Sequence, residues 1–126
     1  MYHGIIIDQE FTDQSFPNTF KVFAKKQDGS WGIYGIEVED SKLEESIKKI
    51  QENMKGDEPW YAHFYNDRQL IVIFKDMVFR VEPHISSWTP IIDYGRELNI
   101  PEEQFDFWPN RFQDEIHYFS KGDFTS

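Results

Sequence analysis

The sequence predicts an α+β fold built on a mainly antiparallel sheet of five to six strands. Before Pro83, short segments alternate apolar and polar residues or are wholly apolar, which is typical of strands. One apolar stripe at helical spacing interrupts them. After Pro83 the apolar spacing becomes helical. The predicted order is therefore βββ-α-βββ-α, with one long helix packed on the sheet and a helical C-terminal segment.

A chain of 126 residues has the length of one domain. We expect a single domain over residues 1–126, in which residues 1–85 hold the sheet and the long helix and residues 86–126 form a helical cover. Twelve Phe, six Tyr and four Trp indicate a core rich in aromatic side chains. Such side chains fit pleated surfaces better than helices.

The first three strands come before the long helix. They are predicted over residues 4–8, 20–26 and 31–38. Alternation in the second strand places Val22 and Ala24 on the same face. Asp28-Gly29, between the second and third strands, predicts a hairpin because glycine tolerates the positive φ of a tight turn.

The long helix is indicated by a single apolar stripe. Its members recur at helical spacing: Leu43, Ile47, Ile50 and Met54. Ser41-x-x-Glu44 matches a capping box at the start of the helix, and Gly56 is placed to cap its end. We expect the stripe to pack on the sheet.

Three more strands are predicted over residues 60–65, 70–74 and 77–82. Residues 70–74 are wholly apolar, so we expect this strand to be covered on both faces. Thr89-Pro90 predicts the start of a second helix, and Pro101 with two glutamates predicts a short helical turn. The aromatic residues 105–112 either form an exposed docking patch or fold back over the sheet. The second interpretation is favoured, because an apolar sheet needs a cover.

Charge and composition exclude several classes of protein. Thirteen Lys and Arg against 23 Asp and Glu leave a net charge of −10, which disfavours nucleic acids, except as substrates, and anionic membranes. The absence of cysteine excludes disulfides, thiolate metal ligands and cysteine nucleophiles. There is no Gly-rich phosphate loop and no GxSxG motif. The first residues do not resemble a signal peptide, so we expect a cytoplasmic location.

One motif suggests metal chemistry. Ile5-Ile6-Ile7-Asp8-Gln9-Glu10, followed by Thr12, resembles the first motif of the proofreading-type 3′–5′ exonucleases, an apolar strand that ends in Asp-x-Glu. The resemblance implies that Asp8 and Glu10 share Mg²⁺ or Mn²⁺ ions that activate water. It also implies a ribonuclease H-like fold.

The rest of the chain follows this family's pattern less closely. Asp67 is the one crude counterpart of the family's second aspartate, and neither Tyr94 nor His117 is followed by the aspartate that the last motif requires. The strands after the helix also favour antiparallel rather than parallel pairing. The alternative interpretation is that Asp8 closes a strand and that Glu10 lies in a solvated loop.

A second hypothesis concerns one face of the sheet. Tyr61, His63 and Tyr65 share one side of a strand, and Arg80 and Glu82 share one side of another. If these sides align, they form an aromatic, titratable face that binds a small ligand, with Tyr34 as a possible neighbour. His63 would then serve as a general base or a ligand, because its unperturbed pKa is near neutrality. The alternative is a solvent-facing or helix-covered surface.

The primary expectation is a small, acidic, cytoplasmic interaction or accessory domain that is not an enzyme and needs no cofactor. Its partner would be another protein or a second copy of the chain. A metal-dependent phosphodiesterase or nuclease that uses Asp8 and Glu10 is one alternative. A small-ligand binder that uses the Tyr61, His63 and Tyr65 face is the other.

Overall fold

The computed structural model describes residues 1–101, 104–105 and 107–125, so the turn predicted at residues 101–103 lies partly outside them. The strands are β1 (Tyr2–Ile7), β2 (Lys21–Asp28), β3 (Trp31–Val38), β4 (Tyr61–Tyr65), β5 (Leu70–Phe74) and β6 (Val78–Val81). The α-helices are α1 (Leu43–Asn53), α2 (Thr89–Glu97) and α3 (Glu115–Tyr118). All six strands pair antiparallel in the order β2-β3-β1-β4-β5-β6. The predicted α+β class and element order are confirmed.

Strand β5 is buried along its whole length, as its composition predicts. Each of its five residues is at most 1% exposed. Successive side chains of a strand point to opposite faces of the sheet. Both faces of the sheet are therefore covered at β5.

Helix α1 covers one face of the sheet. Its apolar stripe is buried together with Ile6, Ile36, Phe64 and Ile71 of the sheet. Phe11 and Phe16, in the segment between β1 and β2, join the same cluster. The stripe predicted from helical spacing therefore packs where the sequence indicated.

The chain after β6 covers the opposite face of the sheet. Ile91 of α2 and Phe107 pack on Leu70 and Val72, and all four side chains are fully buried. Farther along, Phe119 packs on a second part of this face with Ile5, Ala24, Ile33 and Tyr65. Among the helices of the described residues, none has the length and apolar composition needed to cross a membrane.

Three local predictions are wrong. A β-bulge separates Val22, which pairs with Ile36, from Ala24, which pairs with Gly35. A bulge inserts one extra residue, so Val22 and Ala24 lie on opposite faces. The Ser41 capping box is absent, because a 3-10 turn precedes α1 and no side chain caps the helix. Gly56 is not the cap either, since Met54 is already extended.

The C-terminal cover is expected to stabilise the fold through Phe107. Phe107→Ala should lower the free energy of unfolding by about 3–5 kcal/mol, because it leaves a cavity in a fully buried cluster. Ile116→Ala is the control, since this side chain is 71% exposed, and should change stability by less than about 0.5 kcal/mol. Urea unfolding of both variants measures the difference. Equal stability of the two variants would contradict the cover.

Candidate ligand-binding site

A cavity of about 400 Å³ lies between the sheet and the C-terminal cover, at the end of β1. The sheet contributes the floor through Ile5, Ile7 and Ile33, and the cover contributes Gln104, Trp108 and Tyr118. The remaining lining residues are Glu10, Asp28, Trp31, Pro59, Trp60, Tyr61 and His63. This volume lies within the range of small-molecule sites.

Glu10 is the most unusual group in the lining. Its side chain is only 1% exposed, and its Oε2 atom has no hydrogen-bond partner among the described residues. Burial raises the pKa of this carboxyl well above its ordinary value, and a hydrogen bond from the backbone of Ile7 opposes the rise only partly. Glu10 is therefore a buried carboxyl group in a largely apolar wall, not a solvated loop residue.

Glu10 is buried because of the short 3-10 helix that follows β1. This helix covers Asp8–Glu10. The backbone carbonyl oxygen of Glu10 accepts a hydrogen bond of 2.7 Å from the amide of Lys55, just after α1. Phe11, the next residue, is fully buried under α1. These contacts fix the backbone on both sides of Glu10 and leave its side chain on the cavity side of the sheet.

Indole and phenol rings form much of the wall. The rings of Trp31 and Trp60 meet edge to face with centroids 5.6 Å apart, and those of Trp108 and Tyr118 do so at 5.7 Å. The indole Nε1 of Trp60 is buried and has no hydrogen-bond partner among the described residues. Buried polar atoms are rarely left without a partner. Two such atoms, on Glu10 and Trp60, therefore belong to side chains that line one cavity.

His63 and Tyr61 connect the sheet to the cover at this site. The His63 Nε2 atom lies 2.8 Å from the Pro109 carbonyl oxygen, and the Tyr61 hydroxyl donates to the Gln104 carbonyl oxygen. Burial lowers the pKa of His63 to about 4, although the Pro109 bond works in the other direction. The pKa of His63 is therefore shifted away from the near-neutral value of an unperturbed histidine. A neutral ring that donates from Nε2 to a carbonyl keeps Nδ1 unprotonated, as an acceptor.

Tyr65 lies on the same face as His63 but belongs to a different cluster, at the other end of β1. Its hydroxyl donates to the Glu115 carboxylate, whose Oε2 lies 2.5 Å from His3 Nδ1. The other ring nitrogen of His3 lies 3.1 Å from Glu37. Burial lowers the pKa of His3, but the hydrogen bonds and charges of Glu115 and Glu37 outweigh it, so the pKa is raised. Burial and Glu115 also raise the pKa of Tyr65.

Arg80, Glu82 and Tyr34 do not join the site. Arg80 pairs with Ile71, on the face that α1 covers, and its guanidinium lies 2.7 Å from the Glu44 carboxylate. Glu82 follows the end of β6, where its backbone oxygen accepts a hydrogen bond from Ser87. Tyr34 is buried under α1. The predicted alignment holds for Tyr61, His63 and Tyr65 and does not extend to β6.

The structure does not bring together the three carboxylates of the metal hypothesis. Asp8 Oδ1 accepts a hydrogen bond of 3.0 Å from the Gly32 amide, while the Glu10 side chain lines the cavity. Asp67 lies two residues beyond Tyr65, which pairs with His3, so it is more than about 16 Å from Asp8 along the strand direction. Its carboxylate accepts a hydrogen bond from the Phe112 amide. Within the described ranges, no group of three or more His, Asp or Glu side chains is placed to hold a metal ion. The antiparallel pairing of β4 with β1 also differs from the fold that the exonuclease resemblance implied.

Sequence reasoning missed most of the cavity wall. Trp31, Trp60, Trp108 and Tyr118 come from four separate segments, and no local periodicity connects them. The one available signal was the large number of tryptophans in a short chain. Glu10 and His63 were both singled out, but for two different hypotheses.

A shallower depression of about 440 Å³ lies beside α1. Its lysines already face carboxylates: Lys21 lies 2.7 Å from Glu37, and Lys49 lies 3.5 Å from Glu45. These pairs are exposed on the lysine side, as is typical of a solvated surface. The aromatic cavity is therefore the stronger candidate for a ligand.

The lining provides flat apolar faces, carboxyl oxygens and a neutral imidazole, a combination that can bind and orient a small organic molecule.

No family model, curated protein sequence or solved structure matches this chain. The geometry of the cavity is therefore what indicates a function.

Replacing Glu10 should stabilise the empty protein at neutral pH. A raised pKa means that the folded state keeps a proton that the unfolded chain loses above about pH 4.3. The stability linked to this proton is fully present below that pH and is lost as the pH rises toward the folded-state pKa. Glu10→Gln removes the titration, so its advantage should grow by up to about 1.4 kcal/mol per pH unit.

Urea unfolding of wild type and Glu10→Gln from about pH 4 to pH 7 measures this difference. Glu52→Gln, at an exposed position on α1, is the matched control and should give a nearly constant difference. A Glu10→Gln advantage that shrinks as the pH rises would contradict a buried neutral acid.

The His3 cluster predicts a second pH dependence. Since the folded-state pKa of His3 is raised, its contribution to stability is fully present below about pH 6.5, the unfolded value, and is lost as the pH rises through the folded-state pKa. His3→Gln should therefore lose more stability relative to wild type at about pH 5.5 than at about pH 8.5. Thermal unfolding tests this, with His117→Gln, an exposed histidine, as the control. An equal loss at both pH values would show that His3 acts only through packing.

Proposed function

We propose that this protein binds a small organic ligand in the aromatic cavity, without a catalytic step of its own. The observation that carries the proposal is a pair of buried polar atoms, Glu10 Oε2 and Trp60 Nε1, on side chains that line one cavity. Neither atom has a hydrogen-bond partner among the described residues. Functional sites are where a fold tolerates such local violations. A ligand in the cavity lies beside the side chains that carry these atoms and adds its own polar or charged groups to their surroundings.

The surroundings of the cavity support a binding role. The Tyr61 hydroxyl and His63 Nε2 are already committed to backbone oxygens of Gln104 and Pro109. These bonds hold the cover against the sheet and keep the wall in place without a ligand. A pre-formed cavity binds with a smaller loss of conformational entropy than a flexible one.

A protein-binding role, which the composition favoured, receives less support from the geometry. Among the described residues, five large apolar side chains are exposed: Met1, Trp31, Met77, Ile85 and Ile116. A protein interface typically presents a contiguous apolar patch with a polar rim. The phenylalanines of the C-terminal segment, Phe105 and Phe107, face the sheet. We therefore propose ligand binding ahead of a protein interface.

The indole N–H signals in NMR spectra test the proposal with an internal control. The chain has four tryptophans, of which Trp31, Trp60 and Trp108 line the cavity. Trp88 packs elsewhere, on Phe107. A panel of neutral alcohols and sugars, amines, quaternary ammonium compounds and carboxylates is titrated into the labelled protein. A ligand in the cavity should shift the three lining signals and leave that of Trp88 in place.

Thermal unfolding with the compounds that shift these signals provides an independent measure. A ligand at 100 times its Kd should raise the free energy of unfolding by about 2.7 kcal/mol. Each compound is added up to a concentration of about 10 mM, which corresponds to a binding free energy of about −2.7 kcal/mol. If no compound selectively shifts the three lining signals, the proposed function is overturned. Shifts of equal size in all four indole signals would also overturn it, since they indicate non-specific association.

A further inference from the structure

The ring composition of the cavity wall indicates which ligands it attracts. Five aromatic side chains contribute to the lining: Trp31, Trp60, Tyr61, Trp108 and Tyr118. The face of an aromatic ring carries partial negative charge, so it attracts cations, and indole does so most strongly. A wall with three indoles therefore favours a positively charged ligand over an anion.

The charged groups of the lining have the same sign. Glu10 and Asp28 are acidic, and the described lining residues include no lysine or arginine. Glu10 is buried and Asp28 is exposed, so one carboxyl lies in the wall and the other in contact with solvent. The whole chain carries a net charge of −10. An anionic ligand would meet repulsion on approach and would have no counter-ion in this lining.

A nearby contact shows the chemistry that this wall supports. The Lys26 ammonium lies 3.6 Å from the centroid of the Tyr118 ring and donates to the Tyr118 carbonyl oxygen at 2.9 Å. One ring of the cavity thus already contacts an ammonium group of the chain itself. The ammonium of Lys26 has a hydrogen-bond acceptor in that contact.

The predominance of rings and aliphatic side chains in the lining distinguishes between kinds of ammonium. A primary ammonium has three N–H donors, each of which needs an acceptor when it leaves water. A methylated ammonium presents C–H groups, which need none and which pack on ring faces. Since rings and aliphatic side chains form most of the wall, the methylated group fits better. Its charge still requires a counter-ion, and Glu10 Oε2 has no hydrogen-bond partner in the part of the chain that the structure describes.

We infer that the cavity binds a small organic cation that carries a quaternary or otherwise methylated ammonium group. The Glu10 carboxylate is its counter-ion, and the indoles of Trp31, Trp60 and Trp108 surround it. This inference rests on the proposed function and specifies its ligand class. A cation in the cavity favours the ionised form of Glu10, and any proton that the carboxyl group loses passes to the solvent. The buried acid and the aromatic wall then have a common role, because the ligand replaces the solvation that burial removes from the carboxylate.

A pair of probes of the same shape isolates the charge. Choline carries a trimethylammonium group, and 3,3-dimethylbutan-1-ol replaces its charged nitrogen with carbon. Each is titrated into the full chain at matched ionic strength, and binding is followed by tryptophan fluorescence and by the indole NMR signals. Choline should bind at least about tenfold more tightly than the alcohol, the factor that corresponds to about 1.4 kcal/mol of cation-specific attraction.

Variants identify the groups that are responsible. Glu10→Gln should weaken choline binding at least about tenfold and leave binding of the alcohol nearly unchanged. Glu52→Gln removes an equal charge away from the cavity and should leave choline affinity within about twofold. Trp31→Ala removes a ring from a partly exposed position, where the fold tolerates truncation, and should weaken choline at least about threefold. Circular dichroism checks that each variant is folded.

The outcomes separate the ligand class from the function itself. Equal affinity for choline and the alcohol, or unchanged choline affinity in Glu10→Gln, would overturn the cation inference. If choline fails to bind while neutral or anionic members of the earlier panel shift the three lining signals, the inference is overturned and the proposed function stands. If no compound of either set shifts those signals, both are overturned.

Discussion

The burial of both faces of the sheet is the constraint on which the rest of the structure depends. Strand β5 has apolar side chains on both faces, and none of them is more than 1% exposed. A sheet of this kind is stable in water only if each face is covered. Helix α1 covers one face, and the chain after β6 covers the other. The positions of Phe107 and Phe119, and with them the route of the whole C-terminal segment, follow from this requirement.

The C-terminal cover changes in character along the sheet. Over β5 it is closely packed, with Ile91 and Phe107 fully buried. At the start of β1 it is polar, and His3 lies between the carboxylates of Glu37 and Glu115. At the end of β1 the described part of the cover leaves a cavity above the sheet. A gap in packing costs stability, and this one is lined by the buried carboxyl group of Glu10.

The sequence correctly predicted the elements whose burial is visible in the local spacing of apolar residues. The stripe from Leu43 to Met54 shows which face of α1 is buried, and the five apolar residues of β5 show that the strand is covered twice. The errors have local causes of a different kind. A bulge at Phe23 moved Ala24 to the face opposite Val22, and the 3-10 turn before α1 removed the capping role of Ser41. Neither feature has a clear signature in the pattern of apolar residues.

The fold class, the order of the elements and the burial of β5 follow from the amino-acid sequence alone, because hydrophobic periodicity is a local property of the chain. The sequence also marked Glu10, His63 and Tyr61 as residues of interest. Only the tertiary structure decided that these three side chains line one cavity, that Arg80 lies on the other face, and that Asp67 lies at the opposite end of β1. The reason is physical: strand pairing and register set which side chains meet across the sheet. Environment, and not residue type, then leaves His63 neutral and Glu10 a buried acid.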